Sequence, residues 1–149
     1  MSISDYLDEN LVVFLHSNTQ QEALQTLIDR LDQQEKLLNK DSFLEAILQR
    51  EKIVSTGIGI GVAIPHAKLS GYKDFFIAIG IKKVGGIEWQ ALDGLPIRLI
   101  FLIGGPDDRQ TEYLDILSMI TTSIRKEETR KSLLKANTPA EVISLFENL

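Results

Sequence analysis

Residues 75–81 (FFIAIGI) and 97–103 (IRLIFLI) are the stretches that decide the fold class of this chain. Both are short, apolar and rich in β-branched or aromatic residues, which is typical of strands buried on both faces. A glycine pair at 85–86 breaks the pattern after the first stretch, and Gly-Gly-Pro at 104–106 ends the second. A sheet covered on both faces needs helices on each side, so the two stretches predict an α/β fold.

Two further strands are expected on the N-terminal side of these stretches. Residues 11–16 (LVVFLH) are apolar and β-branched, and polar residues follow them. Another strand is expected at about residues 62–66, after a glycine-rich segment. Because this strand and the one at 75–81 are close in the chain, we expect them to form an antiparallel pair inside a mixed sheet.

Two helices are expected between the first strand and the glycine-rich segment. Polar residues 17–19 can cap the first helix. Its apolar positions recur at helical spacing and are Ala23, Leu24, Leu27, Ile28 and Leu31. Asp41 and Ser42 can cap the second helix, which we expect to end near Arg50.

The C-terminal third of the chain has a helical pattern throughout. A long helix is expected after Asp107, with an apolar face made of Tyr113, Leu114, Leu117, Ile120 and Ile124. A shorter helix carries Leu133 and Leu134, and the capping box Thr138-Pro139-Ala140-Glu141 begins the last one. The predicted fold is therefore a single-domain mixed β-sheet flanked by helices, over residues 1–149.

The composition excludes several classes of function. The 149 residues include 16 basic and 21 acidic ones, and the net charge of −5 is unlike that of a general nucleic-acid binder. Without cysteine there is no thiolate catalysis or cysteine-ligated metal, and two histidines leave little for another metal site. No apolar run approaches the roughly 20 residues of a membrane span. The first ten residues are acidic, unlike a signal peptide, so we expect a cytoplasmic protein.

Residues 57–61 (GIGIG) are the first candidate for a binding site. Val62 stands where a dinucleotide-binding fingerprint has its third glycine, and no Gly-Lys-Ser/Thr of a Walker A loop follows. Two interpretations stay open. The segment is either a flexible turn before a strand, or a loop whose bare backbone N–H groups approach an anion closely.

His66 is the second candidate. Strand interiors avoid proline, so Pro65 predicts that His66 lies at a strand end or edge, where sheets present reacting groups. A structural histidine bonded to a backbone carbonyl is the alternative, and it is the preferred interpretation of His16. Arg50 suits the negative end of a helix dipole, and it can also bind a phosphate with two hydrogen bonds.

Four segments together resemble the signature of a known family. They are Arg50-Glu51, Ser55-Thr56-Gly57-Ile58-Gly59, Gly61-Val62-Ala63-Ile64-Pro65-His66 and residues 88–94 (EWQALDG). The sequence is similar, over nearly its whole length, to enzyme IIA domains of the phosphoenolpyruvate-dependent sugar phosphotransferase system. The matching branch is the fructose/mannitol type, which includes the nitrogen-regulatory IIA proteins.

The resemblance implies a site for phosphoryl transfer. His66 would accept a phosphoryl group on Nε2 from a histidine-containing phosphocarrier protein, and Arg50 would lie beside it. Positioning and charge stabilisation suffice for such a transfer, so neither a cofactor nor a metal is expected. The residues expected to contact the phosphate or the partner protein are Ser55, Thr56, Gly57, Gly59 and Gly61.

Tyr113 departs from the family pattern. The family commonly has a second histidine early in the helix after the last strand, and Tyr113 occupies the matching position. A tyrosine hydroxyl can donate a hydrogen bond to a phosphate oxygen, but it cannot become a cation. Either Tyr113 is a neutral substitute, or the phosphohistidine is less stabilised here, or the donor or acceptor differs.

The implied partners are proteins, and Ile58 and Ile60 are expected to form an apolar rim for the donor. The usual acceptor in the family is a IIB domain with a reactive cysteine. Because this chain has no cysteine, we expect a free-standing IIA protein that acts mainly in regulation. The alternatives are a sugar-uptake component that donates to a separate IIB protein, and an interaction module that has lost phosphotransfer. Neither nucleic acid nor direct membrane insertion is expected.

Overall fold

Two antiparallel strands form the centre of the sheet. In the computed structural model, which describes residues 2–147, β5 (Phe76–Ile81) pairs with β6 (Leu99–Pro106). Every residue of both strands is buried. The two stretches that predicted buried strands are therefore confirmed. The predicted domain bounds also include Met1, Asn148 and Leu149, which lie outside the described residues.

The described residues form one mixed sheet of six strands. Besides β5 and β6 these are β1 (Val12–Phe14), β2 (Gly57–Gly59), β3 (Val62–Ala63) and β4 (His66–Leu69). The spatial order is β1-β5-β6-β3-β2, and β4 also pairs with β6. β1 is parallel to β5, and both β3 and β4 are parallel to β6. β2 and β3 form an antiparallel hairpin.

The expected pairing between the strands at 62–66 and 75–81 is wrong. They run in opposite directions, but β6 lies between them and pairs with both. The expected strand at 62–66 is also split, because Pro65 has no N–H to donate to a ladder. β3 ends before Pro65 and β4 begins after it, while the Pro65 carbonyl still accepts the Ile103 N–H at 3.0 Å.

β6 is longer than the sequence predicts. The Gly-Gly-Pro triplet does not end the strand, because β4 pairs along it from Gly104 to Pro106. The glycines make room for aromatic rings: a Cβ added to Gly104 would lie 2.5 Å from Cζ of Phe76 and 2.8 Å from Cε1 of Phe43. Glycine at position 104 therefore allows the rings of Phe76 and Phe43 to pack closely against a strand that continues.

The helices cover both faces of the sheet, as predicted. α1 (Gln20–Gln33) and α2 (Lys40–Ile53) pack on one face, and α3 (Gln110–Arg125), α4 (Glu127–Lys135) and α5 (Pro139–Glu147) pack on the other. Within residues 2–147 no helix is both long and apolar enough to cross a bilayer.

The predicted start of α2 needs a correction. Asn39 caps this helix in place of Asp41 or Ser42, because its side-chain oxygen accepts the Ser42 N–H at 2.8 Å. Asp41 lies in the first turn, where a carboxylate suits the helix dipole. α2 also continues to Ile53, so Arg50 lies in its last turn.

Candidate phosphoryl-transfer site

His66 is the first residue of β4, directly after Pro65. Strand alternation turns its side chain toward α3, while Ala67 faces the core under α1 and α2. Its Nδ1 lies 3.1 Å from the Ile64 carbonyl oxygen. A carbonyl can only accept a hydrogen bond, so Nδ1 carries the proton and Nε2 keeps its lone pair.

The surroundings of His66 favour its neutral form. Burial lowers the pKa of this imidazole below its ordinary value, and the hydrogen bond to the Ile64 carbonyl opposes that effect. The positive charges of Arg50 and Lys68 lower the pKa further, whereas the Glu51 carboxylate opposes them. The imidazole is therefore neutral at pH 7, with its lone pair available.

Tyr113 lies beside His66. It is buried in the first turn of α3, and its ring centroid is 5.5 Å from that of His66 with the planes tilted by 45°. Burial raises the pKa of the Tyr113 hydroxyl, and the charge of Arg50 opposes this rise. The hydroxyl is therefore un-ionised at pH 7. The structure brings together the two residues that the sequence comparison placed in one site.

Arg50 approaches from the other layer of helices. It lies in the last turn of α2, and its Nη1 donates to the Val54 carbonyl oxygen at 2.8 Å. Its charge acts on the pKa of both His66 and Tyr113. The guanidinium thus contributes a positive potential to the space around the imidazole.

Lys68 is a residue that the sequence reasoning missed. It lies two positions after His66 on β4, so both side chains face α3. Its Nζ lies 4.1 Å from the centroid of the Tyr113 ring and donates to the Gln110 side-chain oxygen at 2.5 Å. The spacing of two residues in a strand was the signal that could have identified it.

A hydrogen-bonded cluster joins the end of α2 to the beginning of β2. The Glu51 carboxylate accepts the Thr56 N–H at 3.3 Å and also the Thr56 hydroxyl. The Trp89 indole N–H donates to Thr56 Oγ1 at 3.2 Å, and Ser55 Oγ donates to the Trp89 carbonyl at 2.6 Å. The Thr56 carbonyl accepts the Ile64 N–H at 3.0 Å, which places Ser55 and Thr56 at the His66 end of the hairpin. Glu51 and Trp89 lie in two of the segments that resemble the family signature, and no local pattern predicts their contacts with Thr56.

The tip of the β2–β3 hairpin lies away from His66. Val62 pairs with Leu99 and His66 with Ile103, so about 13 Å along β6 separate the beginning of β3 from His66. The tip residues Gly59, Ile60 and Gly61 all have positive φ, of 94°, 53° and 78°. The structure therefore does not bring Gly59 and Gly61 to the imidazole, and their binding role stays a prediction.

Two N–H groups of the glycine segment already have acceptors. Ser55 Oγ accepts the Gly57 N–H at 3.1 Å. The Asp93 carboxylate accepts the Ile60 N–H at 2.8 Å, and two hydrogen bonds from N–H groups, of Ile60 first and Leu95 second, lower the pKa of that carboxyl. Ile58 and Ile60 are both exposed. The segment is a hairpin that a carboxylate from a distant loop holds in shape.

His16 takes no part in this site. It is exposed and follows the end of β1, at the opposite end of the sheet from His66. Within residues 2–147 no group of three or more histidine or carboxylate side chains is placed to hold a metal ion.

A family model for the "Phosphoenolpyruvate-dependent sugar phosphotransferase system, EIIA 2" matches residues 5–149. The chain belongs to this EIIA 2 family. The membership confirms the resemblance, and it places the chain among EIIA-type phosphocarriers.

Relatives of this EIIA chain include both sugar-specific and regulatory proteins. It is 34% identical over 147 residues to the fructose-specific EIIABC component of Bacillus subtilis, covering 98% of this chain but only 23% of that protein. It is 31% identical over 144 residues to a nitrogen regulatory protein of Bradyrhizobium diazoefficiens, covering 96% and 92% of the two chains. The chain thus spans less than a quarter of the Bacillus relative and most of the Bradyrhizobium one.

The fold of this EIIA chain matches that of a solved nitrogen regulatory protein. The crystal structure of IIA-Ntr from Neisseria meningitidis superposes with a TM-score of 0.89 at 28% identity, covering 97% of this chain and 98% of that one. The match supports the architecture over almost the whole chain.

Proposed function

We propose that this EIIA domain carries phosphoryl groups on Nε2 of His66. The observation that carries the proposal is the hydrogen bond between Nδ1 and the Ile64 carbonyl, which leaves the lone pair on Nε2. Burial and the neighbouring cations keep the imidazole neutral at pH 7. A neutral imidazole can attack phosphorus without a separate base.

The proposed transfer is balanced without a change in protonation. The Nε2 lone pair forms a bond to phosphorus while the N–P bond of a donor phosphohistidine breaks, and the electron pair of that bond returns to the donor nitrogen. The Nδ1 proton stays on His66, bonded to the Ile64 carbonyl. The ring is then positive beside the dianionic phosphoryl group. Arg50, which already acts on His66, offsets part of the remaining charge.

The proposed donor is a histidine-containing phosphocarrier protein of the cytoplasm, and the proposed role is mainly regulatory. Support for regulation comes from the similarity to nitrogen regulatory proteins in sequence and in fold. Sugar uptake through a separate IIB protein is the second candidate, which the 34% identity to a fructose-specific component favours.

Intact-protein mass spectrometry tests the acceptor. Wild type, His66→Ala and His16→Ala are incubated with phosphoenolpyruvate, enzyme I and the histidine phosphocarrier. We expect one acid-labile phosphoryl adduct on wild type and on His16→Ala, and none on His66→Ala. An adduct on His66→Ala would place the acceptor elsewhere. No adduct on any variant, with active donor proteins, would leave a domain of this family that serves only for binding.

A second incubation separates regulation from uptake. The phosphorylated protein is mixed with a fructose-type IIB protein, and both masses are followed. Rapid movement of the phosphoryl group to the IIB cysteine supports uptake. A phosphoryl group that stays on this chain supports regulation.

A further inference from the structure

The Lys68 side chain is a cation in the site that the proposed transfer does not yet use. It leaves β4 on the same side as His66, and it is half-buried against the first turn of α3. Two groups of α3 hold its ammonium: the face of the Tyr113 ring, 4.1 Å from Nζ, and the Gln110 side-chain oxygen at 2.5 Å. Both groups are neutral. The salt bridges of the described residues include none from the Lys68 ammonium to a carboxylate.

Tyr113 connects this cation to His66. Its ring centroid lies 5.5 Å from the imidazole and 4.1 Å from Lys68 Nζ. The separation of Nζ from the imidazole centre therefore cannot exceed about 10 Å, roughly the Debye length at 0.1 M salt. The Lys68 charge already acts on the unphosphorylated site, where it lowers the pKa of His66.

The charge balance around His66 favours movement of Lys68 after phosphorylation. The charged groups that act on His66 are Arg50, Lys68 and Glu51, and Tyr113 is neutral. A phosphoryl group adds negative charge in a partly buried place, and burial makes an unpaired charge costly. A hydrogen bond from the ammonium to an anionic phosphoryl oxygen joins two opposite charges, and it is stronger than the present bond, in which only the lysine is charged. The flexible lysine stem can exchange one partner for the other.

We propose that Lys68 is a phosphate-binding residue of this site. Its ammonium lies over the Tyr113 ring in the unphosphorylated protein and moves to the phosphoryl group once His66 is phosphorylated. By the resemblance to the family, Tyr113 occupies the position of a second histidine. A phenol cannot supply the positive charge of a histidine, but its ring lies against the Lys68 ammonium, which is a cation. The inference rests on the proposed function of His66.

The test measures the equilibrium of transfer, because an equilibrium constant does not depend on how well the donor docks. Wild type, Lys68→Met, Lys68→Arg and Gln110→Ala are equilibrated with the donor system at a fixed ratio of phosphoenolpyruvate to pyruvate. The phosphorylated fraction is read by intact mass. For Lys68→Met we expect the equilibrium constant to fall about tenfold, as for the loss of one charge-assisted hydrogen bond in a partly exposed site. Lys68→Arg keeps the positive charge and should keep most of the wild-type equilibrium constant.

Gln110→Ala separates phosphate binding from a clamp between β4 and α3. If Lys68 only fastens α3, removal of its partner Gln110 lowers the phosphorylated fraction as Lys68→Met does. If Lys68 binds the phosphoryl group, Gln110→Ala removes a competing acceptor and leaves that fraction unchanged or higher. Lys83→Met is the matched control, because Lys83 Nζ also lies over an aromatic ring, 5.8 Å from the centroid of Phe14, at the other end of β5.

The outcomes distinguish the two proposals. If wild type is never phosphorylated, the proposed function of His66 fails. If wild type is phosphorylated and Lys68→Met has the same equilibrium constant, only the Lys68 inference fails. An equal loss in Lys83→Met, or in Gln110→Ala, would also overturn the inference. Thermal melting of each variant verifies that the compared proteins are folded.

Discussion

The Asp93 carboxylate accepts the backbone N–H of Ile60 at 2.8 Å, across 33 residues of chain. Ile60 has a φ of 53°, which a β-branched residue rarely adopts, and Gly59 and Gly61 on either side also have positive φ. The same carboxylate accepts the Leu95 N–H at 3.1 Å. Asp93 thus fastens the tip of the hairpin to the loop before β6.

Replacement of Asp93 by alanine should loosen this tip. We expect faster hydrogen exchange at the Ile60 amide, because its acceptor is lost. Amide exchange measured by NMR gives the result residue by residue. Asp93→Asn keeps an acceptor oxygen and should retain most of the protection. Unchanged exchange at Ile60 in Asp93→Ala would mean that the turn keeps its shape without the carboxylate.

The lowered pKa of His66 predicts how stability depends on pH. The folded-state pKa lies below the unfolded value of about 6.5, so the unfolded chain binds more protons in this range. The contribution of His66 is therefore fully present above about pH 6.5 and decreases as the pH falls through the folded-state pKa. Wild type should lose more stability between pH 7 and pH 5 than His66→Gln, in which this group cannot titrate. An equal fall in melting temperature of the two proteins between pH 7 and pH 5 would contradict the prediction.

Thr56→Val should destabilise the protein by about 1–3 kcal/mol, because it removes the hydroxyl that accepts the buried Trp89 indole N–H and donates to the Glu51 carboxylate. The Thr56 N–H, at 3.3 Å, and the indole N–H, at 3.4 Å, remain as longer contacts to that carboxylate. Urea unfolding followed by the fluorescence of Trp89, the single tryptophan, measures this change. Thr26→Val is the control, since the Thr26 hydroxyl donates to a backbone carbonyl on an exposed helix face. Its effect should stay within about 0.5 kcal/mol. Equal effects of the two substitutions would show that the buried cluster contributes little.

Gly104→Ala should cost about 1–3 kcal/mol through overpacking, because the new methyl group would meet the rings of Phe76 and Phe43. Thermal and urea unfolding measure the loss. Gly85→Ala provides the comparison: its Cβ has open space but φ is 76°, so only backbone strain of about 1 kcal/mol is added. A Gly104→Ala variant as stable as wild type would mean that the rings move aside freely.

Tyr113→His should lengthen the lifetime of the phosphorylated protein. An imidazole can become a cation beside the phosphoryl group, which a phenol at pH 7 cannot. Loss of the adduct with time, measured by mass spectrometry at neutral pH, gives the hydrolysis rate. An unchanged rate would mean that this position does not set the stability of the phosphorylated form.

Part of the candidate site could be predicted from the sequence because the relevant patterns are local. Pro65 before His66 predicts a strand end, and β4 does begin at His66. The resemblance to the family, rather than a local pattern, implied that Tyr113 lies near His66, and the two rings are 5.5 Å apart. Lys68 was missed although its spacing is local, because its role depends on α3, which supplies Gln110 from 42 residues further along the chain.

Local sequence patterns located the two central strands, the five helices and the strand boundary at His66, but not β2, whose segment was expected to be a turn or an anion-binding loop. These properties follow from apolar periodicity, capping residues and proline, which act over a few residues. The separation of β4 from β5 by β6, the bond from the hairpin tip to Asp93 and the contact of Lys68 with Tyr113 arise from packing of the whole sheet. Strand order and side-chain partners depend on burial and hydrogen bonding summed over all the strands and helices. A local pattern fixes the face that a residue presents, but it does not fix the group that this face meets.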